Sequence, residues 1–267
     1  MVKNKKSYQW NAEQYAKHSG SQYAWALELI TKLKLRGNET VLDIGCGDGK
    51  VTVAIADHLP RGKVIGIDSS MEMIDIARRR HIDYPNLRLT FKHLDVRKLD
   101  ENNRFDLVFS NAALHWIKNH PPVLLRIRKA MKNSGRLLFQ MGGRGNAEQV
   151  VAILDTLIAE KWASYFSGFT FPYGFHGPEE YSQWLAAAGL KPLRVELIEK
   201  DMLHSDREGL TGWIRSTWLP YLERVPLHSR ESFIGNIVDL YLSIHPPDDE
   251  GTAHVKMIRL EVEAMKP

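Results

Sequence analysis

The chain of 267 residues contains a single cysteine, Cys46, so neither an intramolecular disulfide nor a thiolate metal cluster is available to it. No apolar run approaches the roughly 18 residues needed to cross a bilayer. The N-terminal stretch also lacks the apolar core of a signal segment, so a cytoplasmic protein without membrane insertion is expected. Neither sign of charge dominates: 36 basic residues face 32 acidic ones, a formal net charge of +4. That excess is too small and too evenly spread to track a phosphate backbone, and no nucleic-acid partner is expected. The densest basic groups, Lys3, Lys5 and Lys6 and the run Arg78-Arg79-Arg80, read as a solubilising tail and a solvated helix end. Eleven histidines are present, yet none forms H-E-x-x-H, and no metal site is expected. There are no internal repeats and no low-complexity tracts.

What is present is an ordinary globular composition, 43% hydrophobic and 25% charged, enough for one large α/β domain or a core with a cap. The chain is organised around residues 39–50, ETVLDIGCGDGK. The apolar run Val41, Leu42 and Ile44 meets Gly45, Gly47 and Gly49, and a helical pattern starts at Lys50. This is a buried strand, a tight glycine turn and a helix start. Asp43 sits near the strand end, and a second acid, Asp68, closes a second strand at 63–67 (KVIGID). The interval from Gly45 to Asp68 suits one β-α-β unit, with Asp68 placed to accept hydrogen bonds from a ribose. A dinucleotide fold wants G-x-G-x-x-G, with pyrophosphate on the helix N-terminus. Here position 50 is lysine, and Asp43 and Asp48 would repel a pyrophosphate and suit an ammonium group.

In chain order, residues 21–36 carry Tyr23, Leu27, Ile30 and Leu33 at helical spacing, with Gly37 and Asn38 as the stop. Strand 1 (40–44), a helix from Lys50 to about His58, and strand 2 (63–67) follow. Ser69 or Ser70 caps the next helix, which ends near Arg80 or His81. A third strand is expected over Leu87 to His93, with Leu94-Asp95-Val96 ending at an acid. Strand 4 (Phe105–Ser110) reads as buried on both faces, and Asn111 to Trp116 (NAALHW) is the loop beyond it. Pro121-Pro122 start a helix; Met131 to Gly135 is a turn into strand 5 (Arg136–Gln140). Strands alternating with helices at this spacing predict a doubly wound, mostly parallel α/β sheet with right-handed crossovers. After Met141 the pattern changes to helices at 146–166, 179–188, 207–223 and 228–244. An aromatic loop (168–178), a strand near 193–199 and a late strand within 250–264 complete it. The expected division is an N-terminal helical segment (1–36), a core (37–141), a mainly helical cap (142–249) and a C-terminal core strand (250–267).

Asp43, Asp68, Asp95 and Asn111 fall at the predicted ends of consecutive strands, the edge where ligands bind in open α/β sheets. Read with that edge, VLDIGCGDG followed by VIGIDSS resembles the first two motifs of class I S-adenosylmethionine-dependent methyltransferases. The resemblance implies a Rossmann-like core and S-adenosyl-L-methionine as cofactor. It places the methionine portion over Gly45, Cys46, Gly47 and Gly49, with Asp43 near the amino group and Asp68 and Ser69 at the ribose. Met73 would pack on the adenine face, and Asp95 with the amide of Val96 would read its edge, near Asn111. Trp10 and Tyr15, in a W-N-x-x-x-Y opening, match a segment that folds over the cofactor in many small-molecule methyltransferases. One departure is Asp48, where many relatives carry proline or serine.

The resemblance extends into the second half. Residues 212–222, GWIRSTWLPYL, are similar to the WVxGTxLxPYL segment of the trans-aconitate 2-methyltransferase-like group, with Ser216-Thr217 in place of Gly-Thr. It implies a small-molecule acceptor, a carboxylate of a small organic acid, near His115, Trp116, Trp213, Arg215 and Tyr221. An arginine suits a carboxylate because its guanidinium binds bidentately. Transfer to an ionised carboxylate needs orientation and desolvation rather than a catalytic base, and no catalytic residue is assigned. Lipid, quinone, amine and polyketide acceptors, a nucleotide-binding oxidoreductase and a non-catalytic binding protein are the alternatives; a monomer or homodimer is expected.

Overall fold

The computed structural model describes residues 20–84 and 88–267. Trp10 and Tyr15, and the expected start of strand 3 at Leu87, lie outside the described residues. Helix α1 (Gly20–Thr31) leads into β1 (Thr40–Ile44), α2 (Lys50–Asp57), β2 (Lys63–Asp68), α3 (Met71–Arg80) and β3 (Leu89–His93). Then come β4 (Phe105–Asn111), α4 (Pro121–Ala130), β5 (Met131–Gly142), α5 (Glu148–Leu157), α6 (Pro178–Ala187) and β6 (Lys191–His204). The chain closes with α7 (Arg207–Thr217), α8 (Leu219–Leu222), α9 (Arg230–Ile244) and β7 (Ala253–Met265).

The seven strands form one sheet in the order β3-β2-β1-β4-β5-β7-β6. The first five are parallel, and β7 joins β5 antiparallel. The order reverses between β1 and β4, which makes the C-terminal ends of those two strands the topological switch point. β1 and β4 are apolar almost throughout because helices cover both faces of a parallel sheet. One face packs Leu42, Ile65, Val108 and Phe139 against Leu124, Ile127 and Tyr181; the other packs Val41, Val64 and Phe109 against Leu29, Ile30 and Ile55. Each such side chain contributes roughly 1.5–3 kcal/mol by leaving water.

The described residues form two compact units that are discontinuous in sequence. One takes Gln22–Arg144, Tyr173–Ile198 and Arg259–Pro267; the other takes Gly145–Pro172 and Glu199–Ile258, with Gly20 and Ser21. Thus 173–198, grouped with the cap by sequence, belong with the sheet unit. In the second unit, Trp162 packs on Phe233 (5.0 Å between ring centres) and Trp218 on Tyr221 (5.7 Å). No helix among the described residues is long and apolar enough to cross a membrane.

Several boundaries differ from the sequence reading, each for a local reason. α1 ends at Thr31 rather than at Gly37, because Lys34 takes a left-handed φ of 47° that no helix continues. The helix expected over 146–166 stops at Leu157 and passes through a wider turn at Ile158–Trp162. The one expected over 207–223 divides at Trp218, where Pro220 sits in the first turn of α8. β5 starts at Met131, five residues before the expected position, with a register shift opposite Phe105–Leu107. β3 ends at His93, so Asp95 lies beyond the strand and caps a short 3-10 turn, Val96–Lys98.

Candidate active site

The glycine turn is held by its neighbours' backbone. The amides of Gly45 and Cys46 both donate to the Ile67 carbonyl, at 2.8 and 3.0 Å. Gly45 has a φ of 73°, and a Cβ there would stand 2.1 Å from the Cβ of Ala113, in the loop after β4. Gly47 has a φ of 53°, and a Cβ built there would meet nothing within 4 Å among the described residues. Gly49 caps α2. Cys46 is buried between Gly66, Phe91 and Ile74, and burial, with the charges of Asp43 and Asp68, pushes its thiol well up. It is therefore an inert thiol.

The two strand-end acids are close to this turn and differ in their partners. Asp43 is 2% exposed and accepts a 2.7 Å hydrogen bond from the Thr52 hydroxyl on α2. Burial pushes its carboxyl up to about 7; Thr52 opposes the shift and the Asp68 charge adds to it. Asp68 divides its carboxylate, with Oδ2 accepting from the Gly47 amide at 3.0 Å and Oδ1 from the Ser70 amide at 2.8 Å. Burial raises its pKa, and those amides pull it part of the way back. Asp48, the third acid of the motif, is paired with Arg80, and Lys50 stands 3.6 Å away. Its charge is thus neutralised locally, whereas Asp43 has the Thr52 hydroxyl as its partner.

Ser69 and Ser70 link β2 to α3. The Ser69 carbonyl meets His93 Nε2 at 3.0 Å, and the Ser70 hydroxyl accepts from the Met73 amide at 3.3 Å, the N-cap of α3. Met73 is buried on that helix. Asp95 is gripped by Arg97 through both carboxylate oxygens. Burial works against its charge, but Arg97 outweighs it and holds the carboxyl below the usual range. Val96 is buried beside it. Asn111 ends β4 and donates from Nδ2 to the Gln22 carbonyl at 3.1 Å. Its buried Oδ1 has no hydrogen-bond partner among the described residues.

Beyond Asn111 the short turn Leu114–Trp116 carries His115 and Trp116. The His115 Nδ1 accepts from the Gly142 amide at 3.4 Å, and its carbonyl accepts from Gly174 at 2.8 Å. Burial, with the Arg259 and His120 charges behind it, holds its pKa well below the usual histidine value. The neutral ring therefore keeps its proton on Nε2. Trp116 and Phe175 stand 5.6 and 6.0 Å from this ring, and Tyr173 stacks on Phe175 at 5.2 Å. Behind it, His120 donates from Nε2 towards the Leu114 and Ile117 carbonyls (3.0 and 2.8 Å) and accepts from the Tyr181 hydroxyl.

The structure thus gathers Asp43, Gly45, Cys46, Gly47, Gly49, Asp68, Ser69 and Asn111 around the ends of β1, β2 and β4. The remaining candidates Trp213, Arg215 and Tyr221 belong to the other unit. Trp213 is buried against Trp218 and His204, and Tyr221 against Phe169. Arg215 binds Glu231 with two hydrogen bonds (3.1 and 2.7 Å), so its fork already has a carboxylate. Sequence reasoning missed Thr52, Gln22, His120, Tyr173 and Phe175, which follow from no spacing rule. Arg259 did leave a signal: the inward alternation Val255, Met257 runs on to Arg259 and Glu261, all buried.

A cofactor with an ammonium group and a ribose fits these residues on three counts. Among the described residues nothing crowds Gly47 and the Asn111 Oδ1 has no partner, while Asp43 and Asp68 are near enough for the charge of one to raise the pKa of the other. Comparison with known proteins agrees. A family model described as "Methyltransferase domain" matches residues 35–189. The trans-aconitate 2-methyltransferase of Deinococcus radiodurans is 31% identical over 81% of this chain and 83% of its own length. That of Methylobacterium nodulans is 27% identical over 96% of this chain and 98% of its own. Among solved structures, Haemonchus contortus phosphoethanolamine N-methyltransferase 2 in complex with S-adenosyl-L-methionine has the same fold. It has a TM-score of 0.60 and 21% identity, covering 96% of this chain and 56% of that one. The chain belongs to the methyltransferase family and is an S-adenosylmethionine-dependent methyltransferase.

Proposed function

We propose that the acceptor is a small organic acid such as trans-aconitate, methylated on a carboxylate oxygen. The observation that carries this reading is the alignment with proteins named trans-aconitate 2-methyltransferase over 81% and 96% of the chain, which takes in both units. The bound cofactor supplies an electrophilic sulfonium methyl. The chain's residues orient and desolvate. Asp43 takes the amino group, and the turn from Gly45 through Cys46 and Gly47 to Gly49 lies under the methionine portion. Asp68, with Ser69, takes the ribose hydroxyls. Met73 packs on the adenine, whose edge meets Asp95 and the Val96 amide. Asn111 uses its open Oδ1 towards the cofactor's donors. On the acceptor side, His115 donates from Nε2, and Trp116 walls the site. A carboxylate is already ionised at neutral pH, so this chemistry needs no general base.

The test is a methyl-transfer screen across di- and tricarboxylic acids, fatty acids, phenols and amines, with products identified by mass. A product that is an ester, labile in mild base, is the expected result. A base-stable N- or C-methyl product would refute the carboxylate reading and shift it towards amine, quinone or polyketide acceptors. Cofactor binding without turnover across the whole panel would point to a non-catalytic binding protein.

A further inference from the structure

We propose that Gln140 is a specificity residue of the acceptor site, its amide oxygen accepting a hydrogen bond from a hydroxyl group on the acid that is methylated. The inference rests on the organic-acid reading above and narrows it to hydroxy acids. Gln140 lies near the end of β5, flanked by β4 and β7. It pairs with Asn111, the last residue of β4, on one side and with Glu261 of β7 on the other. Asn111 is assigned to the cofactor, and its register partner stands one strand further along, about 5 Å away. A methyl acceptor must lie beside the cofactor, and β1 and β2, on the other side of Asn111, carry the groups that the cofactor itself takes up.

The orientation of the Gln140 amide follows from its partner. The side chain is 2% exposed, and its Nε2 donates to Glu261 Oε2 at 3.3 Å. Glu261 is itself fully buried and accepts from Lys32 Nζ at 2.7 and 3.0 Å, while Arg194 pairs with the same carboxylate. Burial works against the Glu261 charge, but Lys32 and Arg194 outweigh it and hold the carboxyl below its usual range. An ionised carboxylate only accepts, so it fixes the amide with its nitrogen towards Glu261 and Oε1 turned away. No group among the described residues donates to that oxygen. Folded proteins leave few buried carbonyl oxygens in this condition.

The surroundings select the donor. The Glu261 charge is already matched by Lys32 and Arg194, and the amide is neutral, so an ammonium group buried against Oε1 would lack a counter-charge. A carboxylate has no hydrogen to give. A hydroxyl is neutral and supplies the one hydrogen this oxygen lacks.

The test is calorimetric titration of acids that differ only in a hydroxyl, malate against succinate and citrate against tricarballylate, into protein saturated with S-adenosylhomocysteine. The hydroxy member of a pair is expected to bind about 5- to 100-fold more tightly, the cost of leaving a buried oxygen unmet. Gln140→Met keeps the length of the side chain and removes the oxygen. It should bring the two members within about twofold of each other and leave S-adenosylhomocysteine affinity within about twofold, as for an independent site. If that variant does not fold, Gln140→Asn, which withdraws the oxygen by one methylene, carries the same expectation. Equal affinities in wild type, or a wild-type ratio in the variant, overturn the inference and leave the organic-acid reading in place. So does a wild type that binds trans-aconitate and none of the four acids. A wild type that binds none of the five removes the reading and this inference together.

Discussion

The carboxylate of Asp68 holds the Gly47 amide at 3.0 Å, fastening the turn after β1 to the end of β2. The same side chain would serve the cofactor's ribose, so it both shapes the turn and contacts what the turn binds. Asp68→Ala is expected to weaken S-adenosylhomocysteine binding by about 1–3 kcal/mol. Some stability should be lost as well, because the Gly47 and Ser70 amides lose this acceptor. Titration of the purified variant checks this, and unchanged affinity would remove Asp68 from the site.

Asp43 and His120 should oppose each other in the pH dependence of stability. Asp43 has a folded pKa raised to about 7 by burial. Its contribution is therefore complete below the unfolded carboxylate range and is lost as pH rises from about 4 through 7. His120 is held down to about 4 by burial and by His176. Its contribution is complete above the unfolded value near 6.5 and is lost as pH falls from there to about 4. Asp43→Asn should make the ligand-free protein gain stability relative to wild type as pH rises from 5 to 8. Chemical denaturation at several pH values reads this directly.

Binding should also titrate Asp43. A cationic amino group placed beside a carboxyl that is mostly protonated at pH 6 favours its ionised form. Calorimetry of S-adenosylhomocysteine binding near pH 6, repeated in buffers of different ionisation enthalpy, is expected to show net proton release, which Asp43→Asn abolishes. Equal release in both proteins would place the amino group elsewhere.

Gly45→Ala should be among the most damaging single methyl additions in the chain. The new Cβ would fall 2.1 Å from that of Ala113, at a φ of 73°. Overpacking and a left-handed backbone together predict a loss of about 2–4 kcal/mol. Adding Ala113→Gly relieves the clash but not the backbone strain, so the double variant should recover only part. Thermal melts of the four proteins of the cycle separate the two contributions, and full recovery would show that backbone conformation contributes nothing.

Removing His120 should loosen the His115 turn. His120→Phe keeps a ring of similar size but leaves the Leu114 and Ile117 carbonyls and the buried Tyr181 hydroxyl without this partner. A stability loss of about 2–4 kcal/mol is expected. His120→Asn, which can reach only some of those groups, should recover part of it, and urea denaturation of the three proteins ranks them.

Much of this architecture was legible in the sequence because its signals are local. The glycines after Ile44, the acid closing KVIGID and Ser70 before α3 each act within a few residues of themselves. A turn needing positive φ or an N-cap needing a side-chain oxygen is therefore visible without the fold. The apolar runs of β1 and β4 gave the parallel sheet for the same reason, since burial on both faces leaves continuous hydrophobic stretches. Helix ends at Thr31 and Leu157 were misplaced because hydrophobic periodicity continues past the point where the backbone departs from it.

The sequence determined that a carboxylate pair and a glycine turn would meet at the strand ends, because one β-α-β unit allows little else. It did not determine how each acid is satisfied. Only the tertiary structure gave Asp43 to Thr52 and Asp48 to Arg80. Nor did the sequence reveal the pairing of the last strands: Arg259 is brought across from Gly142 by an antiparallel strand more than 100 residues away in sequence. Strand pairing at that separation is set by the packing of the whole sheet, and no local pattern encodes it.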